Sequence, residues 1–321
     1  MTKSARPNFF SEFSRLIDKM PLTEEQKRDI LRTLLKFKDQ KANIMITGAT
    51  GSGKSSTINA LFETGVAQVG CTPNPETMTI DCYDLDGLIL WDTPGLGDGK
   101  EADERHSRMI IDKLNEVKAQ GEMLIDAVLV ILDGTSRDFG TSYTLINDVV
   151  IPNLHDKERI IVAINQADAA MKGRHWDSQA NKPEPPLEDY LQKQAATVSR
   201  RIKESTGVDI TPVSYSAGYK EEGAEQTPPY NLDKLLCLIL EKLPAGKRLN
   251  MAGSINAEEM KMSTNDGKHN YKARARGFFQ EAGATIGEEI GRVIGGETGR
   301  SVGRKIGKFV GSLIDGLVSL F

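Results

Sequence analysis

A doubly wound α/β fold, with a mostly parallel sheet of about six strands flanked by N- and C-terminal helices, is predicted by three observations. Short apolar runs alternate with amphipathic stretches across residues 41–246. The first run, 42–47 (ANIMIT), enters a glycine-rich loop followed by a helical pattern. Several later runs end in polar or acidic residues, at the edge where such sheets bind ligands.

The elements follow in order. Residues 8–40 carry Leu22, Ile30, Leu31, Leu34, Leu35 and Phe37 at helical spacing, and Thr23 with Gln26 fits a capping box. After the strand at 42–47, further strands are expected at 79–85, 88–91, 125–132, 159–165 and 210–215. Helices are expected at 105–119, 187–205 and 232–243. Only Asp86-Gly87 separates the runs 79–85 and 88–91, a hairpin signal that makes one strand antiparallel. The Pro- and charge-rich stretch 171–188 reads as an exposed insertion. Periodicity then fades after Pro244. The expected organisation is N-terminal helices at 1–40, the α/β domain at 41–246, a linker at 247–281 and a glycine-rich helical tail at 282–321.

The chain has 321 residues and a net charge of −4, with an ordinary apolar content of 39%. From Asn270 onward eight Lys/Arg stand against five Asp/Glu, so an anionic partner would meet the C-terminal segment. The three cysteines, Cys71, Cys82 and Cys237, have no paired spacing, and neither a disulfide framework nor a zinc site is expected. The first residues lack the apolar core of a signal peptide, and no run of apolar residues is long enough to span a bilayer. A cytoplasmic protein, with a peripheral place at the inner membrane as the alternative, is the resulting expectation.

Gly48-Ala49-Thr50-Gly51-Ser52-Gly53-Lys54-Ser55 matches G-x-x-x-x-G-K-[ST] between a predicted strand and a predicted helix, the setting a phosphate-binding P-loop requires. Its glycines let backbone N–H groups converge on a phosphate, and the helix N-terminus adds favourable partial charge. Lys54 is placed to bridge the β- and γ-phosphates and Ser55 to ligate Mg²⁺; Ser56 continues the set. Asp92-Thr93-Pro94-Gly95 ends an apolar strand, where Asp92 can hold the metal and the Gly95 N–H can sense the γ-phosphate. Asn165-Gln166-Ala167-Asp168 ends another strand. Asp168 can accept hydrogen bonds from guanine N1–H and its exocyclic amine, which adenine does not offer together. After the last strand, Ser216-Ala217-Gly218 offers a backbone N–H for the guanine O6.

The ordered segments GATGSGKS, DTPG, NQAD and SAG resemble the Era-like branch of GTPases. The wording GKSSTINALF, WDTPGLGDG and NQADAAMKGRHWD is similar to the bacterial YfjP-like GTPases, often grouped with 50S-ribosome-binding GTPases. The resemblance covers about residues 41–245. It implies a GTP/GDP site with Mg²⁺ as cofactor, GTP hydrolysis, and a first switch loop near 72–79. A switch threonine completes the metal shell in that family; Thr77 is the choice here, with Thr72 the alternative. The metal set is then Ser55, Thr77 and Asp92, and the catalytic set Lys54, Thr77 and Gly95. Ribosome or RNA enters as a partner only through this resemblance, since no G-x-x-G clamp or aromatic-basic platform is evident.

Three positions depart from the family pattern. Gln166 stands where the family has lysine. Leu96 stands where Ras-like proteins have the water-orienting glutamine, and Gly51 where some relatives bind an activating K⁺ through asparagine. Slow intrinsic hydrolysis, raised by self-association as a homodimer or oligomer, is the consequence, with Arg137 the candidate group supplied in trans. His175-Trp176 is expected to anchor the insertion.

Glycines recur every four residues from Gly283 to Gly311, most preceded by an aliphatic residue. A period of four overshoots the 3.6-residue turn, so the stripe drifts by about 40° per repeat. Interior glycines cost about 1 kcal/mol each, so the tail must gain close packing from a partner surface. Gly295-Gly296 is the expected break of a helical hairpin. Folding back on the N-terminal helices, self-association and a membrane surface all stand open. The alternative to a switch enzyme is a nucleotide-controlled oligomeric or membrane scaffold, septin-like or interferon-inducible-GTPase-like.

Overall fold

The computed structural model describes residues 9–64, 68–69, 80–85, 87–119, 121–218 and 227–318. Two helices, α1 (Phe9–Asp18) and α2 (Glu24–Lys38), lead the chain. The capping box is present: Gln26 N–H donates to Thr23 Oγ1 and Thr23 N–H to Gln26 Oε1.

The strands and helices of the central domain alternate as β1 (Ala42–Gly48), α3 (Lys54–Leu61), β2 (Gln68–Val69), β3 (Asp81–Leu85), β4 (Leu88–Asp92), α4 (Lys100–Leu114) and β5 (Ala127–Asp133). After β5 come α5 (Gly140–Thr144), a π-helical segment (Leu145–Val150) and α6 (Ile151–Asn153), then β6 (Ile160–Asn165). The short strands β7 (Trp176–Asp177) and β8 (Lys182–Pro183), α7 (Pro185–Thr206), β9 (Val213–Ser214) and α8 (Leu232–Lys242) complete the domain.

The sheet order is β2-β3-β4-β1-β5-β6-β9, with every pairing from β4 to β9 parallel and β2-β3-β4 antiparallel. β1 is buried along its whole length, β5 up to its last residue and β6 throughout, because helices cover both faces. The hairpin turns at Gly87 (φ +99°), with Leu85 opposite Leu88. The expected sheet is therefore present, with the two-residue β2 as a seventh strand that the periodicity did not reveal. The chain leaves β1 toward β4 on one side and β5 on the other, which opens a crevice at the strands' carboxyl ends.

Residues 247–281 are not a linker. They carry α9 (Ala245–Met251), a 3₁₀ turn (Ala252–Ser254), α10 (Ala257–Met262) and the first turns of α11 (Tyr271–Ile294). Leu249, Met251, Ile255 and Met260 join the core. These pieces are too short for a helical period to emerge, and tertiary burial stabilises them instead. The boundary placed at 282 falls inside α11, which packs on α2, α8 and α9.

α12 (Gly296–Val318) returns along α11 after the break at Gly295 (φ +72°) and Gly296 (φ +60°). The glycine stripes face each other. A Cβ on Gly287 would lie 2.5 Å from the Gly303 carbonyl oxygen, and one on Gly299 would lie 2.3 Å from that of Gly291. Phe309 meets Phe13 of α1 edge-on at 5.5 Å. The tail thus packs internally within the chain. Cys82 is disulfide-bonded, although the spacing of the cysteines indicates no disulfide framework, whereas Cys237 is free and buried. No helix among the described residues is long and apolar enough to cross a membrane.

Candidate functional site

The loop after β1 wraps into the N-terminus of α3. Gly53 has φ +86°, and a Cβ there would lie 2.2 Å from Asn165 Nδ2, so both backbone conformation and space require glycine. Ser55 and Ser56 sit exposed on the first turn of α3, Thr50 and Gly51 are exposed on the loop, and Ser52 is buried. Lys54 Nζ donates to the carbonyls of Gly48 (3.2 Å) and Ala49 (3.1 Å), arching over the loop. Burial lowers its pKa, against the opposing pull of Asp92 and Asp98.

The segment after β4 lies directly on this loop. Thr50 N–H donates to the Leu96 carbonyl at 3.0 Å, and a Cβ on Gly95 would lie 2.5 Å from Thr50 Oγ1. Any movement of Gly95 must therefore be felt by the loop. His106 of α4 donates through Nδ1 to the Gly95 carbonyl (2.9 Å), and Thr50 Oγ1 donates to Asp98 (3.2 Å). Leu96 itself is buried, 2% exposed, which removes it from any role toward solvent water.

Asp92 closes β4 with Oδ1 buried and without a hydrogen-bond partner. Burial pushes its carboxyl up to about 6, Lys54 opposes this, and Asp81 across the hairpin adds to it. A carboxylate held half-buried beside a lysine, with an orphaned oxygen, suits a hard divalent cation. Asp92 and the hydroxyl of Ser55 therefore fit magnesium chemically. Thr77 and its alternative Thr72 lie outside the described residues.

Asn165 joins two parts of the site. Its Nδ2 donates to the Ser52 carbonyl (3.1 Å), and its Oδ1 accepts from the Ala217 N–H (3.1 Å). Gln166, at φ +60°, donates through Nε2 to the Gly51 carbonyl (3.3 Å), so the uncharged side chain clamps the loop. Asp168 is partly exposed and makes no side-chain hydrogen bond or ion pair among the described residues, which leaves its carboxylate open at the crevice. Ser216 and Ala217 are buried, and the Ser216 backbone exchanges two hydrogen bonds with Tyr230 (3.0 and 2.9 Å).

The structure thus gathers Gly48 to Ser56, Asp92, Gly95, Asn165, Gln166, Asp168, Ser216 and Ala217 at one end of the sheet. Motif spacing gave no hint of Thr57 and Tyr215, whose hydroxyls lie 2.6 Å apart in the interior, or of His106 and Asp98. Their contacts span long stretches of sequence and leave no periodic trace. His175 pairs with Glu184 (3.0 Å) and Trp176 packs edge-on against Tyr230 at 5.3 Å, so this pair anchors the insertion. Arg137 is exposed beside Tyr143 and Arg201, in a groove of about 410 Å³.

Residues 43–166 match the family model described as 50S ribosome-binding GTPase. The chain is 33% identical over 91 residues to a probable GTP-binding protein EngB of Bdellovibrio bacteriovorus, covering 27% of this chain and 45% of that protein. It is 38% identical over 68 residues to a probable GTP-binding protein EngB of Malacoplasma penetrans, covering 21% and 36%. The chain thus spans less than half the length of these curated relatives. Among solved structures, the G domain of the T. maritima FeoB iron transporter matches at 21% identity and TM-score 0.35, covering 63% of this chain and 98% of that one.

Proposed function

We propose that this chain, whose residues 43–166 match the family model described as 50S ribosome-binding GTPase, is a P-loop GTPase that binds GTP with magnesium and hydrolyses it to GDP and phosphate as a slow molecular switch. The observation that carries this reading is the Asn165 side chain, which ties the phosphate loop at Ser52 to the Ala217 N–H. A base held at Asp168 and Ala217 and phosphates held at Gly48 to Ser55 then belong to one rigid frame.

Lys54 would exchange its two carbonyl partners for the β- and γ-phosphates, and Ser55 with Asp92 would hold the cation. Magnesium, when bound, neutralises charge developing on the phosphate oxygens. The Gly95 N–H meets the γ-phosphate, and its backbone contact with Thr50 carries that event into the segment before α4. Thr77 completes the metal shell in this reading. Buried Leu96 supplies no hydrogen bond to the attacking water, so hydrolysis is slow until a second copy presents a group such as Arg137 in trans. The chain acts in the cytoplasm, and the ribosome is the partner that the family's description suggests.

An oligomeric scaffold would have to assemble through a surface other than the glycine stripes. The glycine stripes of α11 and α12 occupy each other, which leaves less of them for a second chain.

Retention of labelled GTP in magnesium buffer tests the reading, with Asp168→Ala as the specificity control. Tight GTP retention that excess ATP does not displace, and that Asp168→Ala abolishes, is the expected result. Equal binding of ATP overturns guanine recognition. Specific hydrolytic activity that stays constant across a wide range of protein concentration overturns stimulation by self-association.

A further inference from the structure

The inner face of α12 is committed to the fold. Val302, Ile306 and Val310 are buried, and a Cβ on Gly283 of α11 would lie 2.4 Å from Val310 Cγ1. The outer face is different. Arg300, Arg304 and Lys308 recur at i, i+4 and i+8, which places them on one ridge, with Lys305 beside them, and all four are exposed. None of the four makes an ion pair among the described residues. The same ridge lines a groove of about 870 Å³ whose floor is the glycine contact between α11 and α12. Arg292 stands on its opposite wall, and Glu288 is its one carboxylate.

Such a surface is built at a cost. Three like charges one helical turn apart repel one another, and the glycines beneath them forfeit helix propensity to bring two backbones together. The result is a broad, shallow, cationic face. Among the described residues no aromatic side chain lines the groove, so they offer no stacking platform for nucleic-acid bases. α12 runs on past this ridge to Val318, and in sequence the stretch 310–321, VGSLIDGLVSLF, has Asp315 as its one charge.

We propose that this ridge docks the chain on an anionic bilayer surface, with Arg300, Arg304 and Lys308 meeting lipid phosphates. Because the apolar face of α12 is already used inside the protein along the ridge, attraction there is electrostatic. Binding therefore demands anionic lipid and weakens steeply with salt. The proposal is independent of the nucleotide reading.

The test is co-sedimentation of the full chain with phosphatidylcholine vesicles, with and without phosphatidylglycerol, at low and high salt. The wild-type chain is expected to sediment with the phosphatidylglycerol vesicles alone, and at low salt. The variant R300E/R304E/K308E should bind about 100-fold more weakly, at about tenfold or less per charge, given the strength of single Lys/Arg contacts with anionic lipid. The variant K36E/K157E/K172E, with the same charge change on exposed positions elsewhere, should bind like wild type. Both variants should keep the wild-type thermal midpoint and GTP retention, which separates lost docking from lost folding. Equal binding to neutral vesicles, undiminished binding by the ridge variant, or equal loss in both variants overturns the proposal. So does ridge-dependent sedimentation with ribosomes in place of vesicles.

Discussion

Thr57 Oγ1 and Tyr215 Oη lie 2.6 Å apart, in a hydrogen bond sealed inside the protein between helix α3 and the loop after β9. Thr57 also donates to the Gly53 carbonyl at 2.8 Å, so Tyr215 donates to Thr57. Burial pushes the Tyr215 phenol far above its ordinary range, which keeps it a donor at every working pH. The bond runs parallel to the link from Asn165 to Ser52 and fastens the phosphate loop to the base loop a second time.

Tyr215→Phe should therefore cost about 1 kcal/mol in denaturant unfolding, the ordinary worth of one hydrogen bond. It should also speed release of a fluorescent GDP several-fold in stopped flow. Unchanged release would confine the bond to stability.

Asp92 gives a pH signature in magnesium-free, nucleotide-free protein. Its folded carboxyl, raised to about 6, exceeds the unfolded value near 3.8. The folded state thus resists ionisation, a penalty that is complete above about pH 6 and fades as pH falls toward 4. Asp92→Asn should raise apo stability by about 1 kcal/mol at pH 8, after discounting for solvent screening, and by almost nothing at pH 4. The same variant should lose magnesium-dependent tightening of GTP. Thermal melts at the two pH values with a chelator present check the first part.

Gly303 and Gly277 should respond oppositely to alanine. A Cβ on Gly303 would lie 2.4 Å from the Gly287 carbonyl oxygen, so Gly303→Ala must spread α11 and α12 and cost about 1–3 kcal/mol. A Cβ on Gly277 meets nothing within 4 Å, and Gly277→Ala should stabilise by about 0.5–1 kcal/mol through helix propensity alone. Urea unfolding of both variants decides whether the stripe is a packing device.

Lys247 of α9 and Asp126, just before β5, form a buried pair at 2.6 Å, and Asp126 Oδ2 also accepts the Asn43 N–H of β1 at 2.9 Å. Lys247→Met leaves that buried carboxylate with the more distant Lys118 as its nearby cation and should cost about 3 kcal/mol. Adding Asp126→Asn should recover part of the loss, because the amide oxygen still accepts from Asn43. Equal stability of the single and double variants would show that the pair carries no charge coupling.

Much of the central domain was legible in the order of residues. The runs ANIMIT, at the start of β1, and IIVAIN, which became β6, are buried because a parallel sheet covered on both faces demands continuous apolar sequence. Thr23 with Gln26 announced the start of α2, since a cap is satisfied within one turn. Residues 247–281 were misread as a linker, because α9 and α10 are too short to show a period and are held by distant partners such as Asp126.

By itself the sequence determined the phosphate loop, the strands that carry it and the ends at which Asp92 and Asp168 stand, because each depends on neighbours a few residues away. Tertiary structure alone decided that Tyr215 reaches Thr57, that Asn165 reaches Ser52, and that the tail's glycines pair with each other and turn a basic ridge outward. Those contacts join residues far apart along the chain. Local periodicity says which face of an element is small or apolar, whereas the geometry of packing decides what lies opposite it.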